Sequence, residues 1–353
     1  MQILKRHDLT LKLRVQHEDD LWVLSQLVKG DKSVGMVSHR RDSTTGTQEG
    51  GRAKSAERKP MWIVIDVEDS EFQLFSDHLR IHGVICEAPV DKGSHHTHSV
   101  SVGDKIELTS GSEWSSADEK LLSEAVKEGG RAKVGIVVVE NDEILLFQIA
   151  SHGMRDLATF TLRGGGKREG DPTKVRDGFF ASAASQSVNL LGKETPIVIC
   201  GPGMARVTFG KMLAKEGLNQ QTINIATNIG GRSAANEVLT GGLAAEILGD
   251  TAIAKHSEFI DEAMRRMATD GAVAYGPDAI RTAFKESAIE TLIINSELLR
   301  DEEAMVGDEN WLAFCDKLDQ TSSNLVQTSS EHDAGKQLDG LGGAIALLRW
   351  KIE

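Results

Sequence analysis

The stretch AVAYGPDAIRTAFKESAIETLIINSELLR, residues 272–300, decides the fold of the C-terminal third of the chain. Its first apolar segment ends at Gly276, a helix pattern begins at Pro277, and the run ETLIINSELL, residues 290–299, is a predicted strand. Strand and helix patterns that alternate in this way are typical of an α/β domain. A later apolar run, AIALL at residues 344–348, completes a predicted α/β sandwich.

Two further segments precede this domain, and the first of them has a strand pattern. Up to about Ser110, short runs alternate apolar and polar residues between turn residues, which predicts a small antiparallel barrel or sandwich. The run DLWVLSQLV (Asp20–Val28) is one of these predicted strands. A connector helix follows, with Ser116 as its N-cap, Glu119 at N3 and the glycines at 129–130 as its stop.

The central segment alternates strand and helix patterns. Apolar strands are predicted at residues 134–141 and 143–150, and a glycine-rich loop separates the next strand from a helix with Asp171 as N-cap and Pro172 at N1. Later strands and helices complete an α/β unit. The sequence therefore predicts three domains, at residues 1–128, 131–254 and 256–353.

The composition is that of a soluble globular protein, since 40% of the 353 residues are apolar and 26% are charged. No apolar run approaches the roughly 18 residues that span a bilayer, and no secretory signal pattern opens the sequence. We therefore expect a cytoplasmic protein that binds no membrane. Cys86, Cys200 and Cys315 are not spaced as metal ligands, so reduced thiols are expected.

Charge is unevenly distributed along this acidic chain, whose formal net charge is −13. From Lys255 onward, ten basic residues stand against nineteen acidic ones, whereas residues 39–60 and 155–176 each hold six basic residues against three acidic ones. Either basic loop alone would be typical of a solvated surface. Together, with glycines among the arginines, they indicate contact with the phosphates of a folded RNA.

Two motifs suggest other chemistry but have simpler explanations. The segment CGPGMARVTFG, residues 200–210, has two glycines of a dinucleotide-binding turn, but Arg206 occupies the third glycine position, which favours an ordinary strand-to-helix turn. His95, His96 and His98 could bind zinc. In a strand, however, His95 faces away from the other two, and we expect no carboxylate or cysteine near enough to complete a site.

Carboxylates that could hold the metal ions of a nuclease are also present. The first central strand carries no acidic residue until Glu140, which argues against a catalytic ribonuclease-H core. In the first domain, acidic residues are expected on solvated edges and in turns. They are Asp8, Glu18, Asp19, Asp20, Asp66, Glu68 and Asp69.

Two C-terminal segments carry a family resemblance: residues 272–300, with Tyr275, Gly276 and the run ETLIINSELLR, and GLGGAIALLRW at residues 340–350. Both resemble the C-terminal domain shared by Pelota and the class 1 translation release factors of archaea and eukaryotes. Residues 62–85 and 95–108, with Trp114, resemble the N-terminal domain of Pelota. The resemblance extends over essentially the whole chain. It implies an Sm-like β-barrel, a central ribonuclease-H-like α/β domain without catalytic residues, and a C-terminal α/β sandwich like release-factor domain 3.

The same resemblance implies a role in ribosome rescue and no-go mRNA surveillance. The protein would bind the A site of stalled ribosomes independently of codon, after delivery by a translational GTPase such as archaeal elongation factor 1-alpha. It would then promote subunit dissociation with the recycling ATPase. Release factors carry a Gly-Gly-Gln tip, whereas here Gly164–Gly166 are followed by Lys167, so no peptide hydrolysis is expected. We expect a monomer without cofactor.

The resemblance also assigns candidate contact residues. The loop that in Pelota reaches the decoding centre and the mRNA channel corresponds to Arg40, Arg41, Arg52, Lys54, Arg58 and Lys59. Further candidate RNA contacts lie in and beside the glycine-rich central loop, at Arg163, Lys167, Arg168, Lys174 and Arg176. Family members contact the GTPase through a Pro-Gly-aromatic turn, and here Pro202 and Gly203 are followed by Met204.

Three alternatives stay open at this point. A metal-dependent endonuclease could cut mRNA on stalled ribosomes through the carboxylates of the N-terminal domain, with a divalent metal as its cofactor. A true release factor would hydrolyse peptidyl-tRNA, which the missing Gly-Gly-Gln disfavours. A plain RNA-binding scaffold would bind ribosomes without dissociating them.

Overall fold

The computed structural model describes residues 1–41, 58–73, 76–128, 134–150, 153–162, 172–218, 221–248 and 251–352. Contacts group the chain into two compact units. Unit 1 comprises Met1–Gly130 and Leu299–Gln320, and unit 2 comprises Arg131–Leu298 and Thr321–Glu353. The three domain boundaries stay a prediction. Among the helices described, none combines the length and the apolar character that crossing a membrane requires.

The N-terminal part of unit 1 is built on a seven-stranded antiparallel sheet. Its elements are β1 (Gln2–His7), β2 (Thr10–Arg14), α1 (Glu18–Leu27), β3 (Lys32–Arg41), β4 (Arg58–Phe72), β5 (His78–Glu87), β6 (His95–Ser101), β7 (Lys105–Ser110) and α2 (Ser116–Glu128). The strand order is β1-β2-β7-β3-β4-β5-β6. Alternate residues such as Leu11, Leu13, Ile63 and Ile65 are fully buried in one core. The antiparallel class is therefore confirmed, although β1, which is mostly exposed, was not predicted.

The predicted strand at Asp20–Val28 is wrong, because these residues form most of helix α1. A short, continuous apolar run does not distinguish a buried strand from a buried helix. Three acidic residues, Glu18–Asp20, occupy the first turn and stabilise the positive end of the helix dipole. The Asp20 carboxylate also accepts hydrogen bonds from the amides of Gln16 and His17, at 2.7 and 3.2 Å. This acidic triplet was the helix signal in the sequence.

Helix α2 begins at Ser116, but its N-cap is Ser115, whose hydroxyl accepts a hydrogen bond from a first-turn amide at 3.1 Å. Ser116 instead donates its amide and its hydroxyl to one carboxylate oxygen of Asp316, at 2.7 and 2.8 Å. The Glu119 carboxylate accepts from Arg6 at 2.9 Å. The predicted Ser116 cap is therefore wrong, because a tertiary contact recruits this serine and leaves the capping to its neighbour.

The segment Leu299–Gln320 belongs to unit 1 through a buried charged contact as well as through Asp316. Arg300 donates from Nε to the carbonyl of Gln26 and from Nη2 to Asp118, both at 2.9 Å. The side chains of Arg300 and Asp118 are only 5% and 9% exposed. Removing one partner of such a pair would leave an uncompensated buried charge.

The central sheet lies in unit 2 and mixes parallel and antiparallel strands. Its elements are β8 (Val134–Val139), β9 (Glu143–Ala150), β10 (Gly153–Thr161), α3 (Pro172–Leu191), β11 (Ile197–Gly201), α4 (Ala205–Lys215), β12 (Thr222–Ala226), α5 (Gly231–Thr240) and α6 (Ala245–Leu248). The order is β10-β9-β8-β11-β12, with β8, β11 and β12 parallel. This is the ribonuclease-H-like arrangement that the resemblance implies.

Helices cover both faces of this sheet. Every residue of β8 and β11 is buried, as expected for strands with apolar layers on either side. One layer includes Phe180 of α3 and Phe209 of α4, and the other includes Val238 of α5. Helix α3 begins at Pro172, as predicted. Asp171 and the predicted stop of α2 at 129–130 lie outside the described residues.

The C-terminal part supplies a four-stranded sheet in unit 2. The elements from residue 252 onward are α7 (Ala252–Ala268), β13 (Val273–Tyr275), α8 (Pro277–Lys285), β14 (Ile289–Asn295), α9 (Ser296–Leu299), β15 (Met305–Val306), β16 (Glu309–Asn310), α10 (Trp311–Asp319), β17 (Asn324–Thr328), α11 (Asp333–Asp339) and β18 (Ala344–Leu348). The sheet order is β13-β18-β14-β17, and Gly276 has φ 78° immediately before α8. The α/β class predicted from residues 272–300 is confirmed.

Four details of this part differ from the prediction. The pattern SEFIDEAMRRMATDG predicts a helix from Ser257, but helix α7 begins at Ala252, because the hydroxyl of Thr251 accepts from the amide of Ala254 and caps it there. Strand β14 ends at Asn295, where the predicted strand turns into the short helix α9. Strand β17 and helix α11 were not predicted.

Candidate functional site

Strands β3 and β4 form a hairpin. In its outer half, neither strand pairs with a further described strand of the sheet. Residues of β3 up to Gly35 also pair with β7, and residues of β4 from Val64 also pair with β5. Beyond these points, within the described residues, β3 and β4 pair only with each other. We call this two-stranded part, Met36–Arg41 with Arg58–Ile63, the outer hairpin. It contains Pro60, and proline is tolerated on a strand that has an unpaired edge.

Six basic residues were predicted as RNA contacts in this loop. Four of them lie at the end of the outer hairpin, where they form two pairs across the strands. Arg40 lies opposite Lys59, and Arg41 lies opposite Arg58. Basic residues gathered at one end of a hairpin favour contact with phosphate groups. The other two residues, Arg52 and Lys54, lie outside the described residues.

Arg40 is tied to the sheet rather than extended into solvent. Its Nε donates to the Asp91 carboxylate at 2.8 Å, and its Nη1 lies 3.3 Å from the carbonyl of His95 and from Nδ1 of His96. Burial, and then the Arg40 charge, lower the pKa of His96, and its Nε2 lies 3.0 Å from the Ser38 hydroxyl. A neutral His96 can thus accept from Arg40 and donate to Ser38. Arg40 braces the hairpin, and its role as an RNA contact stays a prediction.

Trp62 is a candidate that the sequence analysis missed. Its side chain is 39% exposed and lies opposite Val37, which is 56% exposed. Gly35 leaves room for the indole, since a Cβ there would lie 2.7 Å from the ring. An exposed aromatic ring beside basic residues can stack on a nucleobase. The run MWIVIDVED predicted a strand without indicating that Trp62 is exposed, and the two-stranded geometry exposes this ring.

The second basic loop is described only at its C-terminal end. Lys174 is exposed in the first turn of α3, a turn that holds no acidic residue. Arg176 is partly buried, and its Nε has no hydrogen-bond partner among the described residues. Basic residues in the first turn add to the positive charge of the helix end, which favours an external anion. Arg163, Lys167 and Arg168 lie outside the described residues.

The predicted GTPase-binding turn, Pro202–Met204, joins β11 to α4. Its backbone depends on two glycines in the left-handed region, Gly201 with φ 139° and Gly203 with φ 70°. Gly201 also permits close packing, since a Cβ there would lie 2.2 Å from the Val139 carbonyl. Arg206 donates to the Gly203 carbonyl. The side chain of Met204 is 70% exposed at the end of this fixed turn.

The neighbouring loop adds a second apolar side chain at this edge of the sheet. Ile229, which follows β12, is 52% exposed, and loops after adjacent parallel strands meet at the same edge. An exposed methionine and isoleucine on neighbouring loops suit a protein partner more than a phosphate. Ile229 was missed because nothing in its sequence context marks it as exposed.

Two of the acidic residues considered for catalysis have structural roles. The Glu140 carboxylate, at the end of β8, accepts a hydrogen bond from the amide of Gly231 at 2.9 Å and thereby satisfies the start of α5. Asp20 is buried and accepts a hydrogen bond from the Met1 amino group at 2.7 Å in addition to its capping contacts. Both carboxylates therefore stabilise local structure.

One acidic residue of the first domain lies where none was expected. A carboxylate oxygen of Glu68 is 3.2 Å from Nδ1 of His95 and 3.7 Å from Nε2 of His82. The expectation that no carboxylate lies near the histidines is therefore wrong. His96 and His98 do share the opposite face, with ring centroids 5.0 Å apart, as the strand period predicted.

Comparison with known proteins identifies the family of this chain. Two family models match, the Pelota N-terminal domain over residues 1–126 and eRF1 domain 3 over residues 253–352. A protein pelota homolog of Methanothrix thermoacetophila is 32% identical across all of this chain and 99% of its own length. The chain belongs to the Pelota family. A pelota homolog of Natronomonas pharaonis is 33% identical over 95% of this chain and 93% of its own length.

Solved structures show that the fold is the multidomain Pelota fold. The Pelota protein of Thermoplasma acidophilum aligns over 100% of both chains with a TM-score of 0.77 and 24% identity. Dom34 of S. cerevisiae aligns over 100% of this chain and 99% of its own with a TM-score of 0.55 and 17% identity. Dom34 is described as a translation termination-like factor involved in RNA quality control pathways and interacting with Hbs1.

Proposed function

We propose that this Pelota-family chain is a ribosome-rescue factor that enters the A site of stalled ribosomes independently of codon. It is delivered by a translational GTPase and promotes subunit dissociation with a recycling ATPase, in the manner of no-go mRNA surveillance, and it leaves the peptidyl-tRNA intact. The observation that carries the proposal is the outer hairpin, whose far end holds two opposed pairs of basic residues.

The outer hairpin suits recognition without regard to sequence. Lysine and arginine contacts to phosphates supply affinity and position but carry no base information. A ribbon of two strands is narrow enough to enter a groove or channel of folded RNA, and Trp62 adds a stacking surface that accepts any base. A factor that must act on any stalled codon needs this combination of contacts.

The Pro202–Met204 turn suits a protein partner of the elongation-factor-1-alpha type. Met204 is held outward by a backbone that needs glycine on both sides of Pro202, so its position is fixed before binding. Preorganised apolar side chains lose little entropy on binding. The interaction of Dom34 with Hbs1 supports a protein partner for this chain as well. Met204 replaces the aromatic residue of the family pattern with a flexible apolar one.

Peptide release needs a group that positions water, and the sequence offers none at the expected place. Gly164–Gly166 are followed by Lys167 and Arg168, and no Gly-Gly-Gln occurs in the chain. A basic, glycine-rich loop can contact rRNA phosphates but has no side-chain amide to orient an attacking water. We therefore infer that this chain binds and separates ribosomal subunits, with no bond made or broken by its own residues.

The test is subunit splitting of ribosomes stalled on a truncated mRNA. The full-length chain is combined with archaeal elongation factor 1-alpha, GTP and the recycling ATPase, while peptidyl-tRNA and mRNA length are followed. Splitting with intact peptidyl-tRNA and uncut mRNA is expected. Binding without splitting would replace the proposal with a scaffold role, and free peptide would indicate a release factor.

A paired variant tests whether the outer hairpin carries the binding. Charge reversal at Arg41 and Arg58 should weaken ribosome binding and flatten its dependence on salt, since phosphate contacts set that slope. Reversal of Lys5 and Arg14, on strands β1 and β2 away from the hairpin, removes the same charge and serves as the matched control. Equal losses in both variants would mean that net charge, rather than the hairpin, governs binding.

A metal-dependent endonuclease is the second candidate, and one observation favours it. Glu68, one of the carboxylates considered for such chemistry, lies within 3.7 Å of two imidazole nitrogens on the exposed face of the N-terminal sheet. The same splitting assay distinguishes the two functions. Shortened mRNA that appears only with added divalent metal, and disappears in Glu68→Gln, would support the endonuclease.

A further inference from the structure

Glu68, His82 and His95 form a cluster on three adjacent strands, β4, β5 and β6. We call these three residues the His–Glu cluster. Each offers one ligand atom, and these atoms all lie within 4.8 Å of one another. All three side chains are exposed on the outer face of the sheet, and the rings of His82 and His95 stack with centroids 5.4 Å apart.

A β-bulge places Glu68 in the cluster. Val67 pairs with Gly83 and Asp69 pairs with His82, so Glu68 has no partner on β5. Bulges of this kind redirect a side chain and are frequent beside functional sites. The bulge depends on a glycine opposite, because a Cβ on Gly83 would lie 2.0 Å from the carbonyl oxygen of Asp66. The close approach of β4 to β5 thus brings the carboxylate over the two histidines.

The neighbouring strand orients His82. Its Nδ1 lies 2.9 Å from the hydroxyl of Thr97, the residue directly opposite on β6. A neutral His82 that donates Nδ1–H to Thr97 presents the lone pair of Nε2 toward Glu68. Metal-binding histidines are commonly held in this way, with one ring nitrogen hydrogen-bonded and the other facing the ion.

The distances and the ligand types fit one class of ion. Ligands bound at 2.0–2.2 Å in a tetrahedral zinc site lie roughly 3.3 Å apart. The distances from Glu68 to His95 and to His82, at 3.2 and 3.7 Å, match this value, and exposed side chains can rotate to close the remaining gap. Two imidazoles with one carboxylate suit zinc-like transition metals, whereas Mg²⁺ prefers oxygen ligands alone.

We propose that Glu68, His82 and His95 form a three-ligand site for a divalent transition-metal ion of the Zn²⁺ type. The fourth coordination position is open to water, because all three ligands lie on an exposed face. The ion cross-links β4, β5 and β6 at the bulge. Thr97 is a positioning residue of this site.

The competing explanation is a surface ion pair between the carboxylate and protonated histidines. The two differ in the sign of their pH dependence. A metal ion needs deprotonated imidazoles, so its binding weakens as the histidines become protonated, whereas an ion pair strengthens under the same change. Loss of Zn²⁺ affinity on acidification, and its return at neutral pH, is therefore the expected result.

Zinc titration of the full-length chain tests the proposal. Zn²⁺ alone is used in calorimetry, and Co²⁺ in visible absorption, in a Cys86→Ser background, because Cys86 is an exposed thiol on β5. One equivalent of Zn²⁺ should bind. Glu68→Gln, His82→Gln and His95→Gln should each weaken that binding by at least about tenfold, and Thr97→Val should weaken it while leaving the stoichiometry unchanged.

A matched control distinguishes Zn²⁺ binding at the His–Glu cluster from nonspecific Zn²⁺ binding by other exposed histidines. His78 is also on β5 and, like the cluster histidines, lies beside a carboxylate, with Nδ1 2.9 Å from Asp77. His78→Asn should leave Zn²⁺ affinity unchanged. The proposal is overturned if no Zn²⁺ binds, if the three ligand variants bind as the parent does, or if His78→Asn loses as much affinity as they do. Circular dichroism of each metal-free variant confirms that it is folded.

Discussion

The outer hairpin and the Pro202–Met204 turn differ in what holds their side chains toward solvent. The outer hairpin is a two-stranded ribbon with basic residues in opposed pairs, and Arg40 is braced by Asp91. The turn is a short connection packed against β8, and its shape depends on two glycines with positive φ. Charge defines the first surface, and backbone geometry defines the second.

This difference determines how each surface tolerates change. Phosphate contacts are many and individually weak, so we expect RNA binding by the outer hairpin to survive the loss of one charge. The turn presents one side chain at one fixed place, and it has no alternative if the backbone moves. We therefore expect the turn to be sensitive to backbone substitutions and the hairpin to be sensitive to charge.

The largest effect is expected from Gly201→Ala. The new Cβ would lie 2.2 Å from the Val139 carbonyl, at a residue with φ 139°, so strand β11 must move away from β8. We expect the free energy of unfolding of unit 2 to fall by about 3 kcal/mol. Hydrogen exchange of peptides from β8 and β11 in the full-length chain measures this loss.

Gly203→Ala is the matched control for that substitution. Gly203 has φ 70°, but a Cβ there would meet nothing within 4 Å. Only the backbone penalty applies, and a loss of about 1 kcal/mol is expected. If both alanines cost the same, close packing on β8 does not define the turn.

The second largest effect is expected from acidification, which should lower the stability of the N-terminal sheet through His98 on β6. His98 is fully buried, and burial followed by the charge of His96 lowers its pKa to about 4 from 6.5. Above pH 6.5 the His98 imidazole is neutral in both the folded and the unfolded chain. Below it the unfolded chain takes up a proton that the folded chain resists, so stability falls until about pH 4. The expected loss at pH 5 is about 2 kcal/mol.

His98→Leu isolates this contribution from the titration of carboxylates. The variant should lose less stability than the parent between pH 7 and pH 5, as seen in hydrogen exchange of peptides from β5 and β6. His256 in unit 2 has its own pKa lowered to about 3, mainly by burial, so peptides of α7 serve as the internal comparison. An unchanged acid response of β5 and β6 in His98→Leu would contradict the prediction.

A smaller effect is expected from the ion pair that braces the hairpin. The side chains of Arg40 and Asp91 are 18% and 28% exposed, so their attraction is only partly screened. A double-mutant cycle with Arg40→Met and Asp91→Asn should give a coupling energy of about 1 kcal/mol. Asparagine is the right replacement, because Asp91 has φ 59°, which asparagine tolerates. A coupling energy near zero would mean that Arg40 is available to RNA.

Local patterns predicted much of the fold. Alternation identified β3, β5 and β7, and proline identified the starts of α3 and α8. Helix α1 was not recognised, because a short apolar run fits a buried strand equally well. The cap of α2 moved by one residue because Asp316, distant in sequence, binds Ser116.

The candidate sites were predictable to different extents, for physical reasons. Composition alone revealed the basic residues of the hairpin, since charge is a property of the sequence. The exposure of Trp62 depends on β3 and β4 losing their neighbours beyond Gly35 and Val64, which no local pattern shows. The meeting of Glu68 with His82 depends on a bulge that shifts the register by one residue. Pairing register between strands is a tertiary property.

Met204 should show the smallest effect on stability and a selective effect on binding. Because its side chain is 70% exposed, Met204→Ala should change the free energy of unfolding by no more than about 0.5 kcal/mol. GTPase affinity should fall by about tenfold, since an anchoring side chain is removed from a preorganised turn. Met204→Phe, which restores the aromatic residue of the family pattern, should bind at least as tightly as the parent.

The decisive comparison is between Met204→Ala and the charge reversal of Arg41 and Arg58, with GTPase binding and GTPase-free ribosome binding measured for both variants. The first should lower GTPase binding and leave GTPase-free ribosome binding unchanged, and the second should do the reverse. Met305→Ala removes another exposed methionine, 47% exposed on β15 in unit 1, and should change neither affinity. If Met204→Ala also weakens GTPase-free ribosome binding, the turn contacts the ribosome as well. The separation of a charge-defined surface from a geometry-defined one would then fail, because a single edge of the central sheet would serve both partners.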